Sequence, residues 1–139
     1  MDARDVFREF RRRSGYSGTC PPLRVECSRI GFRLWKDRPG LGTTLLAAVT
    51  WEAVTQICFK DNGPMRSDMI YVCMSDRPGI LAIPLEIPGG GVLWRQFRTR
   101  GLIPASLHEQ ATLATDGALY CWPPLEGAAA PRDGNPEIR

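Results

Sequence analysis

The sequence predicts an α+β fold: one antiparallel-sheet-dominated domain closed by a helix near residues 92–100. Three observations lead there. Apolar and polar residues alternate along several short runs between Leu23 and Ile87, the period-two pattern of half-buried strands. Clusters of Gly, Pro, Asn and Asp separate those runs, as turns do. At Gly91 the spacing changes: Leu93 and Phe97 stand four apart with Trp94 between them, and Arg95, Arg98 and Arg100 make a polar side.

Taken in order, Asp2–Arg13 reads as a short amphipathic helix, with Val6, Phe7 and Phe10 on one face and arginines largely elsewhere. Its stripe is expected to pack on its own domain. Ser14–Pro22 breaks the pattern with two glycines and two prolines. Leu23, Val25 and Cys27 then alternate with Arg24, Glu26 and Ser28, and Ile30, Phe32 and Leu34 alternate with Gly31, Arg33 and Trp35. Both runs are strands with solvated charges. Lys36–Gly42 is a turn, and Thr43–Val49 a further short strand.

Thr55, Ile57 and Phe59 share one face of the next strand, and Asp61-Asn62-Gly63-Pro64 turns the chain. Met69–Met74 is apolar at almost every position, which predicts a central strand covered on both faces. Ile80–Ile87 is strand-like, but Pro84 cannot donate to a ladder, which places it at an edge or a bulge. Val92–Arg100 is the closing helix, stopped at Gly101. A second helix is expected after Pro104, with Ser106 as its cap and Leu107, Ala111 and Ala114 inward. Ala118–Trp122 is a last short strand. Residues 1–125 thus read as a single domain, with a tail at 126–139 outside the fold.

Composition narrows the function classes. At 139 residues the chain has a single-domain length, and its 43% hydrophobic and 24% charged residues are ordinary for a globular protein. A net charge of +3 falls short of the dense basic footprint of a nucleic-acid binder, so no nucleic acid is expected. The N-terminal stretch has no apolar signal-peptide core, and a cytoplasmic location is the expectation. Cys20, Cys27, Cys58, Cys73 and Cys121 are odd in number and scattered, never in a C-x-x-C pair. They read as small, mostly buried thiols rather than a disulfide framework or a zinc site.

Catalytic motifs fail on inspection. His108-Glu109 opens an H-E pair, but Thr112 stands where the second histidine of a zinc-binding H-E-x-x-H belongs. His108 is the only histidine, so a solvated or core-edge role is the reading. No G-x-S-x-G elbow occurs. Pro88-Gly89-Gly90-Gly91 precedes a helix as a phosphate cradle would, yet the Lys-Ser/Thr pair of a P-loop is missing, and a flexible turn is the reading. Paired carboxylates, Glu52 with Asp61 or Asp68, are more often turn caps than an acid–base pair. No enzyme, no cofactor and no metal is expected.

The most patterned stretch is W-E-A-V-T-Q-I-C-F-K-D-N at residues 51–62, followed by Asp68 and Ile70. Trp51, Glu52, Val54, Ile57, Phe59-Lys60 and Asp68 together resemble the signature of a group of small bacterial proteins with a pleckstrin-homology-like fold. The similarity runs from about Ile30 to Trp122, though Pro84–Gly91 replaces the group's longer acidic segment. The resemblance implies a pleckstrin-homology-like roll or barrel. Some members resemble immunity proteins encoded beside antibacterial toxins, so it also implies binding of a protein partner rather than catalysis. The expected partner is a cognate toxin or another protein, with Trp51, Glu52, Lys60, Asp61, Asp68, Lys36 and Arg38 as candidate contacts. The second reading is a peripheral membrane or phosphate-ligand module using the basic N-terminal face with Arg33, Lys36 and Arg38.

Overall fold

A computed structural model of the chain describes residues 22–63 and 66–125. The N-terminal helix expected at Asp2–Arg13 and the tail at 126–139 lie outside the described residues, as does Cys20.

Among the described residues, seven strands form two antiparallel sheets. In the first, β1 (Leu23–Cys27), β2 (Gly31–Arg38) and β3 (Gly42–Thr50) lie in the order β1-β2-β3. A bulge interrupts the β2–β3 ladder, where Leu34 faces Ala47 and Trp35 faces Leu45, leaving Leu46 as the extra residue. A short 3-10 turn, Trp51–Ala53, carries the chain into the second sheet. There β4 (Val54–Lys60), β5 (Met69–Met74), β6 (Ile80–Pro84) and β7 (Leu119–Trp122) lie in the order β6-β5-β4-β7. Two helices, α1 (Gly90–Thr99) and α2 (Ala105–Thr112), fall between β6 and β7 in sequence. Among the described residues the two sheets do not close into a barrel.

The sequence explains the elements with few exceptions. β5 is interior, as its unbroken apolar run requires, and its two faces feed different clusters. β6 is an edge strand that stops at Pro84, so the proline removes no interior hydrogen bond; Leu85–Pro88 turn instead of continuing the strand expected to Ile87. α1 follows the expected stripe, with Leu93, Trp94 and Phe97 buried. α2 departs from expectation at its start, where Pro104 rather than Ser106 is the cap and no side chain accepts from the first turn. Leu107 and Ala111 point inward as expected.

The main core lies between the sheets and the helices. Phe32, Trp51 and Phe97 form a triangle of rings 5.8–6.2 Å apart, and Trp94 packs on Phe59 at 4.7 Å. Phe59, Phe97, Ile70, Ile83 and Leu93 are at most 1% exposed; each such side chain contributes about 1.5–3 kcal/mol through burial. A second cluster, Cys58, Met69, Tyr71, Ile80 and Cys121, sits on the other face of the second sheet.

Within that cluster the cysteine reading needs correction. Cys58 and Cys121 stand opposite each other in the β4–β7 ladder and form a disulfide across 63 residues of sequence. No spacing rule anticipates it, because the pairing depends on β7 returning beside β4. Cys27 and Cys73 remain half-buried thiols, and burial pushes both up from the ordinary thiol range.

The Gly-rich turn before α1 is not a slack connection. Val25 N–H donates to Pro88 O at 2.9 Å, and Gly89, at φ +84°, lies so close that a Cβ would overlap the Val25 carbonyl oxygen. The turn that resembled a phosphate cradle is packed against β1.

Candidate functional site

The seven residues singled out from sequence fall into three places. Trp51 is inside: 6% exposed, ringed by Phe32 and Phe97, with its indole N–H donating to Ser28 O at 3.1 Å. The Arg100 guanidinium stacks over its remaining face at 4.4 Å and also donates to Ser28 O. Glu52, beside it, is exposed at the end of β3.

Lys60, Asp61 and Asp68 do come together, as a clamp that ties two loops. Asp61 is 4% exposed; its carboxylate accepts from Gly63 N–H at 3.0 Å and from Gly117 N–H at 2.9 Å. These backbone donors hold its pKa below the usual carboxylate range, Gly117 having the larger effect. Lys60 Nζ donates to Gly117 O. Asp68 accepts from Asn62 N–H at 3.0 Å, but burial, and then the neighbouring charge of Asp61, push its pKa the other way, up. The chemistry of this trio is turn-capping, joining the β4–β5 connection to the start of β7.

Lys36 and Arg38 lie at the far end of β2 from Glu52. By strand alternation they follow Leu34 on the inward side, beyond the edge of the core, whereas Arg33 points outward. The three cations therefore do not gather on one face.

The strand alternation that buries Val25, Phe32, Leu34, Ala47 and Val49 turns another set outward on the first sheet. Cross-strand neighbours there run Arg24–Trp35–Leu45 and Glu26–Arg33–Ala48, with Asp37 beside Thr43. Trp35 is half-buried at the centre, with the Arg24 guanidinium 5.2 Å above its ring. Arg24 is held there by Asp37 at 3.2 Å and Glu26 at 3.3 Å, and Asp37 also accepts from Thr43 at 2.9 Å. The Trp35 indole N–H is shielded and finds no acceptor among the described residues. Leu45, 44% exposed, extends the apolar area to the edge.

This outer face is the surface sequence reasoning overlooked. Of the four tryptophans, the sequence marks only Trp51 as a candidate contact. Trp51 and Trp94 are buried, while Trp35 and Trp122 reach the surface. A signal was available: Trp35 alternates with Leu34, so one of the pair had to face outward.

His108 is core-edge and buried, stacked on Trp94 at 4.7 Å and 18°. Thr112, in the position a second metal-binding histidine would take, accepts from Trp94 Nε1 at 2.9 Å and donates to His108 O at 2.6 Å. Burial, then the charge of Arg98, lowers the imidazole's affinity for a proton, so it is held neutral. Among the described residues no three His, Cys, Asp or Glu side chains gather as a metal site, and no helix is long and apolar enough to cross a membrane.

No protein-family model matches the chain, and no curated protein or solved structure is significantly similar to it.

Proposed function

We propose that this chain is a non-catalytic protein-binding module of pleckstrin-homology-like type that docks a protein partner on the outer face of its first sheet. The observation that supports the reading is Trp35: a large indole at the centre of the outward side of the first sheet, flanked by Arg24, Arg33 and Leu45. Interfaces draw most of their binding energy from such aromatic and arginine anchors inside a polar rim.

The partner we propose is a cognate bacterial toxin, met in the cytoplasm, with this chain as its immunity protein. The ordered residues Trp51, Glu52, Val54, Ile57, Phe59-Lys60 and Asp68, which resemble immunity-like proteins of that fold, support this choice. Co-expression with the product of the adjacent gene tests it directly. Rescue of growth, lost on Trp35→Ala while the variant's circular dichroism stays unchanged, is the expected result. Failure of the purified neighbour to bind removes the toxin reading. Binding that Trp35→Ala leaves intact removes the proposed face.

A further inference from the structure

The two sheets present four edges, and three of them are blunted. β1 has its Val25 N–H bonded to Pro88 O and the Gly89 backbone pressed against it. β6 ends in Pro84, and β7 is four residues long and stops before Pro123. Covered, proline-ended and very short strands are the usual means of preventing edge pairing.

β3 is different. It runs nine residues, G-T-T-L-L-A-A-V-T, with no charge and no proline, and seven of the nine are exposed. Leu45 and Leu46 are 44% and 47% exposed, and Leu41, at the hairpin before it, is 78% exposed. Its one described edge contact is Arg77 Nη2 donating to Ala48 O at 2.7 Å, near the far end. The bulge at Leu46 is its other interruption, and Gly42–Leu45 carries neither charge nor proline.

We propose that β3 is a dimerisation edge: two copies of this chain pair their β3 strands antiparallel about a two-fold axis, joining the first sheets into one six-stranded sheet. The strand itself argues for a second copy as the occupant. An edge paired with itself about a two-fold axis is self-complementary in N–H and C=O groups. An uncharged strand sets no like charges opposite one another, which a charged edge would. The ends are complementary as well. Antiparallel pairing brings Glu52, just beyond Thr50 of one copy, to the hairpin of the other, where the exposed Arg38 stands beside Gly42. Leu41, Leu45 and Leu46 leave water in the same step. A strand-edge contact is at the small end of protein interfaces, so the dimer is concentration-dependent. The inference goes beyond toxin binding and stands or falls separately, because it needs no partner.

Sedimentation velocity of the full chain, from about 1 to about 200 μM, covers the affinity range of a small interface. The expected result is a monomer at the low end and a dimer at the high end. Leu46→Lys, which places like charges across the two-fold axis, moves the midpoint to at least about tenfold higher concentration. Arg38→Glu and Glu52→Arg each weaken the dimer, and the double variant restores it, a pattern that loss of folding does not produce. A monomer at every concentration overturns the proposal and leaves the edge to a strand of another protein. So does a dimer whose midpoint neither Leu46→Lys nor the charge exchange moves.

Discussion

The two sheets treat their outer faces in opposite ways. The second sheet is buried on both sides: Ile57, Phe59, Ile70 and Val72 face the main core, while Cys58, Met69 and Tyr71, at most 4% exposed, face away from it. The first sheet buries only Val25, Phe32, Leu34, Ala47 and Val49, and turns Glu26, Arg33 and the Arg24–Trp35 pair outward. What differs is what a substitution puts at risk. In the second sheet almost every side chain belongs to a cluster, so changes there register as stability. In the first, half of each strand is available for contact, so changes can register as affinity with the fold intact.

The sharpest way to break that contrast is Phe59→Ala, which removes a 1%-exposed ring from between the second sheet and Trp94. Urea denaturation is expected to show a loss of about 3–5 kcal/mol. Next comes the Cys58–Cys121 disulfide, which closes a loop of 63 residues. Replacing both cysteines by serine is expected to cost about 3–4 kcal/mol, and adding a reductant to the double variant should then change nothing further.

Acid gives a smaller effect, and its sign is fixed. His108 binds a proton less readily in the fold than in the unfolded chain, through burial first and Arg98 second. Its stabilising contribution is therefore complete above the unfolded imidazole's range near pH 6.5, and is lost as pH falls through the depressed folded value. Thermal melts should lose a few degrees over that interval, and His108→Phe, which keeps a ring on Trp94, should flatten the slope. Trp35→Ala is predicted to cost only about 1 kcal/mol in the same denaturation assay, against the loss of partner binding. A cost as large as that of Phe59→Ala would erase the distinction between the sheets.

Asp68→Asn should have the smallest effect. Asp68 holds its proton more tightly when folded, chiefly through burial, so its ionisation destabilises the fold as pH rises through the raised value. Asparagine keeps an acceptor for Asn62 N–H, and a melting point higher by about 1–2 °C at pH 7 is expected.

Much of the fold was legible because local chemistry decided it. The strand runs from Leu23 to Pro84, the interior place of β5 and the apolar side of α1 all follow from spacing and from the demands of proline and glycine. What the sequence concealed depends on partners far along the chain. Cys58 meets Cys121 only because β7 adds to the β4 edge. Asp61 looks like a free turn residue until Gly117 arrives to donate to it. Trp51 drew attention by its place in a pattern, but that pattern encodes packing; the Phe32–Trp51–Phe97 triangle needs the bulk there. Among the tryptophans it is strand alternation, not motif membership, that tells which reaches the surface: Trp35 alternates with the buried Leu34.

The cross-link between β4 and β7 also governs what happens when the backbone is cut. Both loops that Asp61 ties together, the β4–β5 connection and the approach to β7, lie within the ring that Cys58 and Cys121 close. A protease that cleaves at either place leaves two fragments still joined through sulfur. On a gel without reductant the nicked protein keeps its full mass, and only a thiol divides it.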